Sequence, residues 1–274
     1  MQTDLQPVID AAMRSAKPAE LAPGKVYSLV TPDGRAHRID LTGPEFTGIP
    51  ARKSGTTVVR DVDSFLAYFD KHGDFASEVY ADVENRTITA VLDAHETETP
   101  RWGGHRLELR LRPTSAWSAW MHADNKLMSQ SQFAEHIEDN LVDLVEPDSA
   151  TMLELAQSME VSTSAEFQSS QRLDSGARKF SYIEEQTGKA GHKGDITIPA
   201  TLILALRPFE GSEAYRVTAR FKYRLDRQEG ALKLGFKIER PADILASAFE
   251  DIRTLVADGI PEHIAVLNGA PARS

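Results

Sequence analysis

Strict alternation of apolar and polar positions dominates the chain from Tyr215 to Ile238. Val217, Ala219, Phe221, Tyr223 and Leu225 interleave with Arg216, Thr218, Arg220, Lys222 and Arg224. Further on, Leu232, Leu234, Phe236 and Ile238 interleave with Lys233, Gly235 and Lys237. A period of two is that of a strand with one buried face. A third extended segment, Asp195–Leu206, precedes them. Turn-compatible residues separate the three, Pro208 and Gly211 in one gap and Asp226–Gly230 in the other, so the pattern predicts an antiparallel meander.

Upstream the period changes repeatedly. Leu5, Val8, Ile9, Ala12 and Met13 have helical spacing over Leu5–Ala16. Lys25–Val30 and Ala36–Leu41 form a predicted hairpin across Thr31–Arg35. After an irregular connection around Gly43–Pro50, Asp61 or Asp63 caps a helix carrying Val62, Phe65, Leu66 and Phe69, which Gly73 ends. Glu78–Val83, Thr87–Leu92 and His105–Arg112 then predict a second antiparallel sheet. Helical faces follow at Trp117, Trp120 and Met121, then at Phe133, Ile137, Leu141 and Leu144. Another, capped by Asp148 or Ser149, carries Met152, Leu155 and Met159. Ser162–Ser175 is polar and weakly patterned, Lys179–Gln186 is a candidate strand, and Gly188–Gly194 reads as an exposed loop. Pro241 opens a last helix with Leu245, Ala248, Phe249, Ile252 and Val256 along one stripe, and Ile264–Leu267 is a candidate edge strand.

The fold class is therefore α+β: mixed or antiparallel sheets, a C-terminal antiparallel meander, and amphipathic helices between and after them. The expected organisation is an N-terminal α+β region over 1–126, an acidic helical middle over 127–171 and a sheet-and-helix region over 172–268. The last of these is either separate or continuous with the first, and a frayed tail follows over 269–274.

Charge sharpens this picture. The net charge of −10 is concentrated in residues 127–171, which hold nine carboxylates and no Lys or Arg, whereas residues 172–274 carry a net charge of +2. Cysteine is absent, which removes disulfides, thiol chemistry and thiolate zinc sites. Asp4 and the lack of a long apolar run predict no secretory signal. No apolar span approaches the roughly 20 residues that cross a bilayer, so the expectation is a cytoplasmic protein without a membrane partner.

Two charged groups are candidate sites. Arg216, Arg220, Lys222, Arg224, Lys233 and Lys237 form a basic ladder, with side chains at i and i+2 about 6.6 Å apart. Such a face is a solvated sheet surface, a protein contact or a phosphate-neutralising surface, and it has no interleaved aromatic on which bases could stack. Glu135, Glu138, Asp139 and Asp143 form an acidic surface expected along one helix face. Its alternatives are a solvated helix, a protein-facing surface, and oxygen ligands for Mg²⁺ or Ca²⁺. Asp93, Glu108 and Arg110 loosely match the paired carboxylates and cation of a metal-dependent nuclease, while Trp102 in the same loop is expected to cover part of a sheet. The glycines at 188, 191 and 194 form no phosphate-binding signature, and no nucleophile elbow is present. No catalytic residue, cofactor or dedicated metal site is assigned.

PRWGGHRLELRLRPTSAWSAW (Pro100–Trp120), FAEHIEDNLVDLVEP (Phe133–Pro147) and the strand-rich tract from Gly194 to Arg240 together resemble the YfdQ-like family of uncharacterised phage and prophage proteins. The resemblance implies a phage or mobile-element setting, in a bacterial host cell or a phage particle, and identifies no reaction. With the separation of acidic and basic surfaces, it leads to an expected non-enzymatic accessory or structural protein that self-associates or binds other proteins. The alternatives are a nucleic-acid-binding factor in phage recombination or counter-defence, and a divergent metal-dependent nuclease or hydrolase.

Overall fold

The computed structural model describes residues 6–7, 21–31, 33–172, 178–189, 197–226 and 231–272, with backbone alone for 29, 160–172, 178–189 and 225–226. Contacts group these into two units, Met1–Ser54 and Gly55–Ser274. The first holds a hairpin of β1 (Val26–Val30) and β2 (Ala36–Asp40), then one helical turn, α1 (Pro44–Thr47). Gly34 at φ +79° and a bond from Thr31 N–H to the Arg35 carbonyl (2.9 Å) close the hairpin where its sequence predicts a turn. Of the expected helix Leu5–Ala16, Gln6 and Pro7 are helical and the rest lies outside the described residues.

The second unit is an α+β body with two five-stranded sheets. In the first, β4 (Glu78–Asp82), β5 (Thr87–Val91) and β6 (His105–Arg110) form an antiparallel meander. β3 (Gly55–Val59) adds parallel to β6 and β14 (Val266–Asn268) parallel to β4. The edge strand β3 has no counterpart in the sequence reading, because Gly-Thr-Thr-Val-Val lacks alternation. Phe65 and Phe69 of α2 (Val62–His72) and Ala248, Phe249, Ile252 and Val256 of α6 (Pro241–Gly259) pack on Val79, Ile88, Leu107 and Leu109 of this sheet. Asp61 caps α2 by accepting Ser64 N–H at 2.7 Å, and Pro241 stands in the first turn of α6.

The second sheet has the order β7-β13-β12-β11-β8, antiparallel throughout. Its centre is the expected meander of β11 (Thr201–Leu206), β12 (Tyr215–Asp226) and β13 (Ala231–Ile238), with β11 shorter than the expected Asp195–Leu206 because residues 197–200 are outside the strand. Asp195 and residues 227–230 lie outside the described residues, as do residues 190–194 of the expected glycine-rich loop. The edges β7 (Leu127–Ser129) and β8 (Leu144–Glu146) have three residues each, too few to show a period. Three helices, α3 (Ser115–Ala123), α4 (Gln130–Asp139) and α5 (Ser149–Ser158), place Trp117, Trp120, Phe133, Ile137, Met152 and Leu155 in one core with Leu204, Val217, Phe221, Leu234 and Phe236. Glu160–Arg172 (β9) pairs with Arg178–Lys189 (β10) as a separate antiparallel hairpin, so the weakly patterned Ser162–Ser175 is extended as far as Arg172, and residues 173–175 lie outside the described residues.

The two sheets are joined in several places. Pro113 bridges Phe209, Thr114 Oγ1 donates to the Arg207 carbonyl at 2.5 Å, and Tyr215 and Leu245 pack against both cores. Residues 127–158 share their core with the meander.

Candidate functional site

Ladder geometry follows from the pleat of β12 and β13. Val217, Ala219 and Phe221 are buried, whereas Arg216, Arg220 and Arg224 are exposed on the opposite side, with Lys222 half-buried among them. Register places Lys237 across from Arg220 and Lys233 across from Arg224, so all six cations lie on the sheet side away from the helices. Like charges directly opposite each other on a sheet cost stability.

Anions offset only part of that charge. Glu146 of β8 lies 3.5 Å from Arg216, and Glu239 lies 3.2 Å from Arg220. Both are exposed pairs of the kind worth at most about 1 kcal/mol. Lys222 Nζ donates to Asn125 Oδ1 at 2.8 Å. Asn125 is brought there by the α3–β7 turn, where its N–H donates to the Phe236 carbonyl (2.9 Å) and Asp124 Oδ1 accepts Ile238 N–H (2.7 Å). The turn lies so close to β13 that a Cβ at Gly235 would come within 2.2 Å of the Lys126 carbonyl oxygen. Among the described residues Arg224 and Lys237 have no ion pair.

The acidic group lies across the sheet. Ser129 and Gln132 close a capping box at the start of α4, whose Phe133, Ala134 and Ile137 point into the core while Glu135, Glu138 and Asp139 are exposed. Asp143 does not extend this face. The helix ends at Asp139, and Asp143 falls in a 3₁₀ turn, Leu141–Asp143, where its Oδ2 accepts Trp120 Nε1–H at 2.8 Å. A buried indole needs an acceptor, so Asp143 completes the core beneath the acidic surface.

His136 belongs to the same core. Its ring stands edge-on to Trp120 (4.9 Å) and stacks on Phe236 (5.7 Å), and its Nε2 is buried with no hydrogen-bond partner. Burial holds its pKa below the ordinary 6.5, against the opposing pull of Asp139 and Asp143. As pH falls below 6.5, the unfolded chain therefore takes up this proton before the folded one does. The stabilisation is present above 6.5 and is lost on acidification. In thermal melts between about pH 7.5 and pH 5.5, His136→Phe is expected to lose less Tm than the native chain. At neutral pH it should be more stable by about 1 kcal/mol, because it removes an unpaired buried nitrogen. An unchanged pH dependence would show that His136 is not the titrating group.

The nuclease arrangement is not formed. Asp93 is buried and its Oδ1 accepts the His105 backbone N–H at 2.8 Å, whereas Glu108 is paired with Arg110 (2.6 Å) further along β6. No three His, Cys, Asp or Glu among the described residues are placed to hold a metal ion. Asp93 instead joins a polar network that the sequence reading missed. Tyr68 hydroxyl lies 2.9 Å from His105 Nε2 and accepts from Thr57 Oγ1 (2.9 Å), and the His72 ring meets that of His105 edge-on at 5.3 Å. The i, i+4 spacing of Tyr68 and His72 was the available signal. This network fastens α2 to β3 and β6. Trp102, expected to cover a sheet, is 85% exposed.

The family model for an uncharacterized conserved protein, DUF2303, matches residues 1–271. The chain belongs to the DUF2303 family. For this DUF2303 chain, no curated protein and no solved structure matches. No helix among the described residues of this DUF2303 protein is long and apolar enough to cross a membrane.

Proposed function

We propose that this DUF2303 chain is a non-enzymatic accessory protein of a phage or prophage, present in the bacterial host cell or the particle. It works by binding protein surfaces, its own copies included, through the outer face of β12 and β13. The observation that carries this reading is the set of six cations on one side of the sheet, with Arg220 facing Lys237 and Arg224 facing Lys233. Such pairs work against the fold and are relieved when an anionic surface covers them. Protein is favoured over nucleic acid because Phe221 and Tyr223 turn toward the core, leaving no stacking platform among the ladder cations. The YfdQ-like resemblance supplies the phage setting.

A labelled poly-glutamate peptide tests the reading by fluorescence anisotropy. Binding is expected to weaken about tenfold in the double variant Arg220→Glu/Arg224→Glu and to fall with salt. Both side chains are exposed, and each substitution sets an anion opposite Lys237 or Lys233 in place of a like charge, so the melting temperature should not fall. Equal binding by variant and native chain overturns the proposal. Tighter binding of a DNA oligonucleotide than of the peptide also overturns it, in favour of nucleic acid.

A further inference from the structure

The acidic and basic faces lie on opposite sides of one two-layer body. The ladder occupies the outer face of the second sheet. On its inner face sits α4, with Phe133 meeting the Phe221 ring at 5.7 Å. Glu135 and Asp139 lie roughly half a turn around α4 from Phe133 and Ile137, so they point away from the sheet. A helix diameter plus the intervening side chains separates the two charged surfaces by on the order of 20 Å, beyond a Debye length of about 8 Å. Within one molecule the two faces cannot neutralise each other.

We infer that the partner of the basic face is the α4 face of a second copy, joined head to tail. This rests on the reading of the ladder as a protein-binding surface and adds the identity and geometry of the partner. A two-fold dimer through either face would set like charges against like, and unlike faces on opposite sides of one body cannot both close within a dimer. Each contact therefore leaves one basic and one acidic face free, and assembly continues until it forms a ring or a filament. The pitches agree. Glu135 and Asp139 are about 6 Å apart along the helix, close to the roughly 6.6 Å between alternate cations of a strand. Val142, in the turn just beyond α4, is 94% exposed and adds an apolar side chain at that end of the helix.

Sedimentation velocity of the full chain at low salt, over a range of concentrations, tests the inference. The native protein is expected to pass beyond the dimer as concentration rises. Arg220→Glu/Arg224→Glu/Lys233→Glu/Lys237→Glu, which reverses both facing pairs and leaves two acidic faces, and Glu135→Lys/Asp139→Lys, with two basic faces, should each associate at least about tenfold more weakly alone. An equimolar mixture of the two should assemble again, because every contact then joins unlike faces. A native mass that stops at a dimer, or either variant assembling alone like the native chain, overturns the inference. A native chain that stays monomeric yet binds poly-glutamate in a ladder-dependent way overturns the head-to-tail contact and leaves the protein-binding reading standing. Loss of both overturns both.

Discussion

Trp120→Ala is expected to lower the unfolding free energy by about 4 kcal/mol, the middle of the range for removing a large buried aromatic. Trp120 is 0% exposed and lies 5.0 Å from the Phe236 ring, at the point where α3, α4 and β13 meet. Truncation opens a cavity on three sides. It also strands Asp143, whose carboxylate accepts the indole N–H and has few other uses in a half-buried turn. Urea denaturation followed by circular dichroism measures the loss. Trp120→Phe keeps most of the volume and loses the hydrogen bond, so its cost should be clearly smaller. A loss below about 2 kcal/mol for the alanine variant would mean that the helix layer collapses into the space.

Gly235→Ala should cost about 2–3 kcal/mol, although it adds a single methyl group. The added Cβ would meet a backbone atom, the Lys126 carbonyl oxygen, which cannot rotate away. The turn that carries it is held by the bonds from Asn125 N–H to Phe236 and from Ile238 N–H to Asp124. Relief of the clash therefore peels the β7 edge and pulls Asn125 from Lys222, changing the ladder as well as the stability. Gly259→Ala is the control. There the Cβ meets the ends of the Leu66 side chain, which can change rotamer, and a helical alanine is favoured, so the expected change is within about 1 kcal/mol. Similar denaturation midpoints for the two variants would refute the distinction between backbone and side-chain obstruction.

The two charged groups were legible to different degrees. The ladder follows from a period of two, which places alternate side chains on one side of a strand whatever the tertiary context. The acidic helix face was legible for Glu135, Glu138 and Asp139, but extending the helical period to Asp143 overshot the end of α4 at Asn140. That end is set by the turn that brings Asp143 to Trp120, a contact between residues far apart in the chain. Trp102 misled for a related reason. An indole in a loop before a strand is usually covered, yet the Trp102 side chain stays in solvent.

By itself the sequence determined the α+β class, the strands of the meander, which cations share a side of β12, and the two helix starts at which Asp61 and Asp148 stood as one of two candidate caps each. All of these rest on dihedral preferences and side-chain periods that act over a few residues. Only the tertiary structure decided that three-residue edges flank the meander, that Asn125 and Gly235 meet the ladder, and that the acidic helix lies behind the sheet and not against its basic face. A period states which side chains point together. Which layer covers each side depends on how apolar surface from distant segments is removed from water, and that balance is struck only when the whole chain packs.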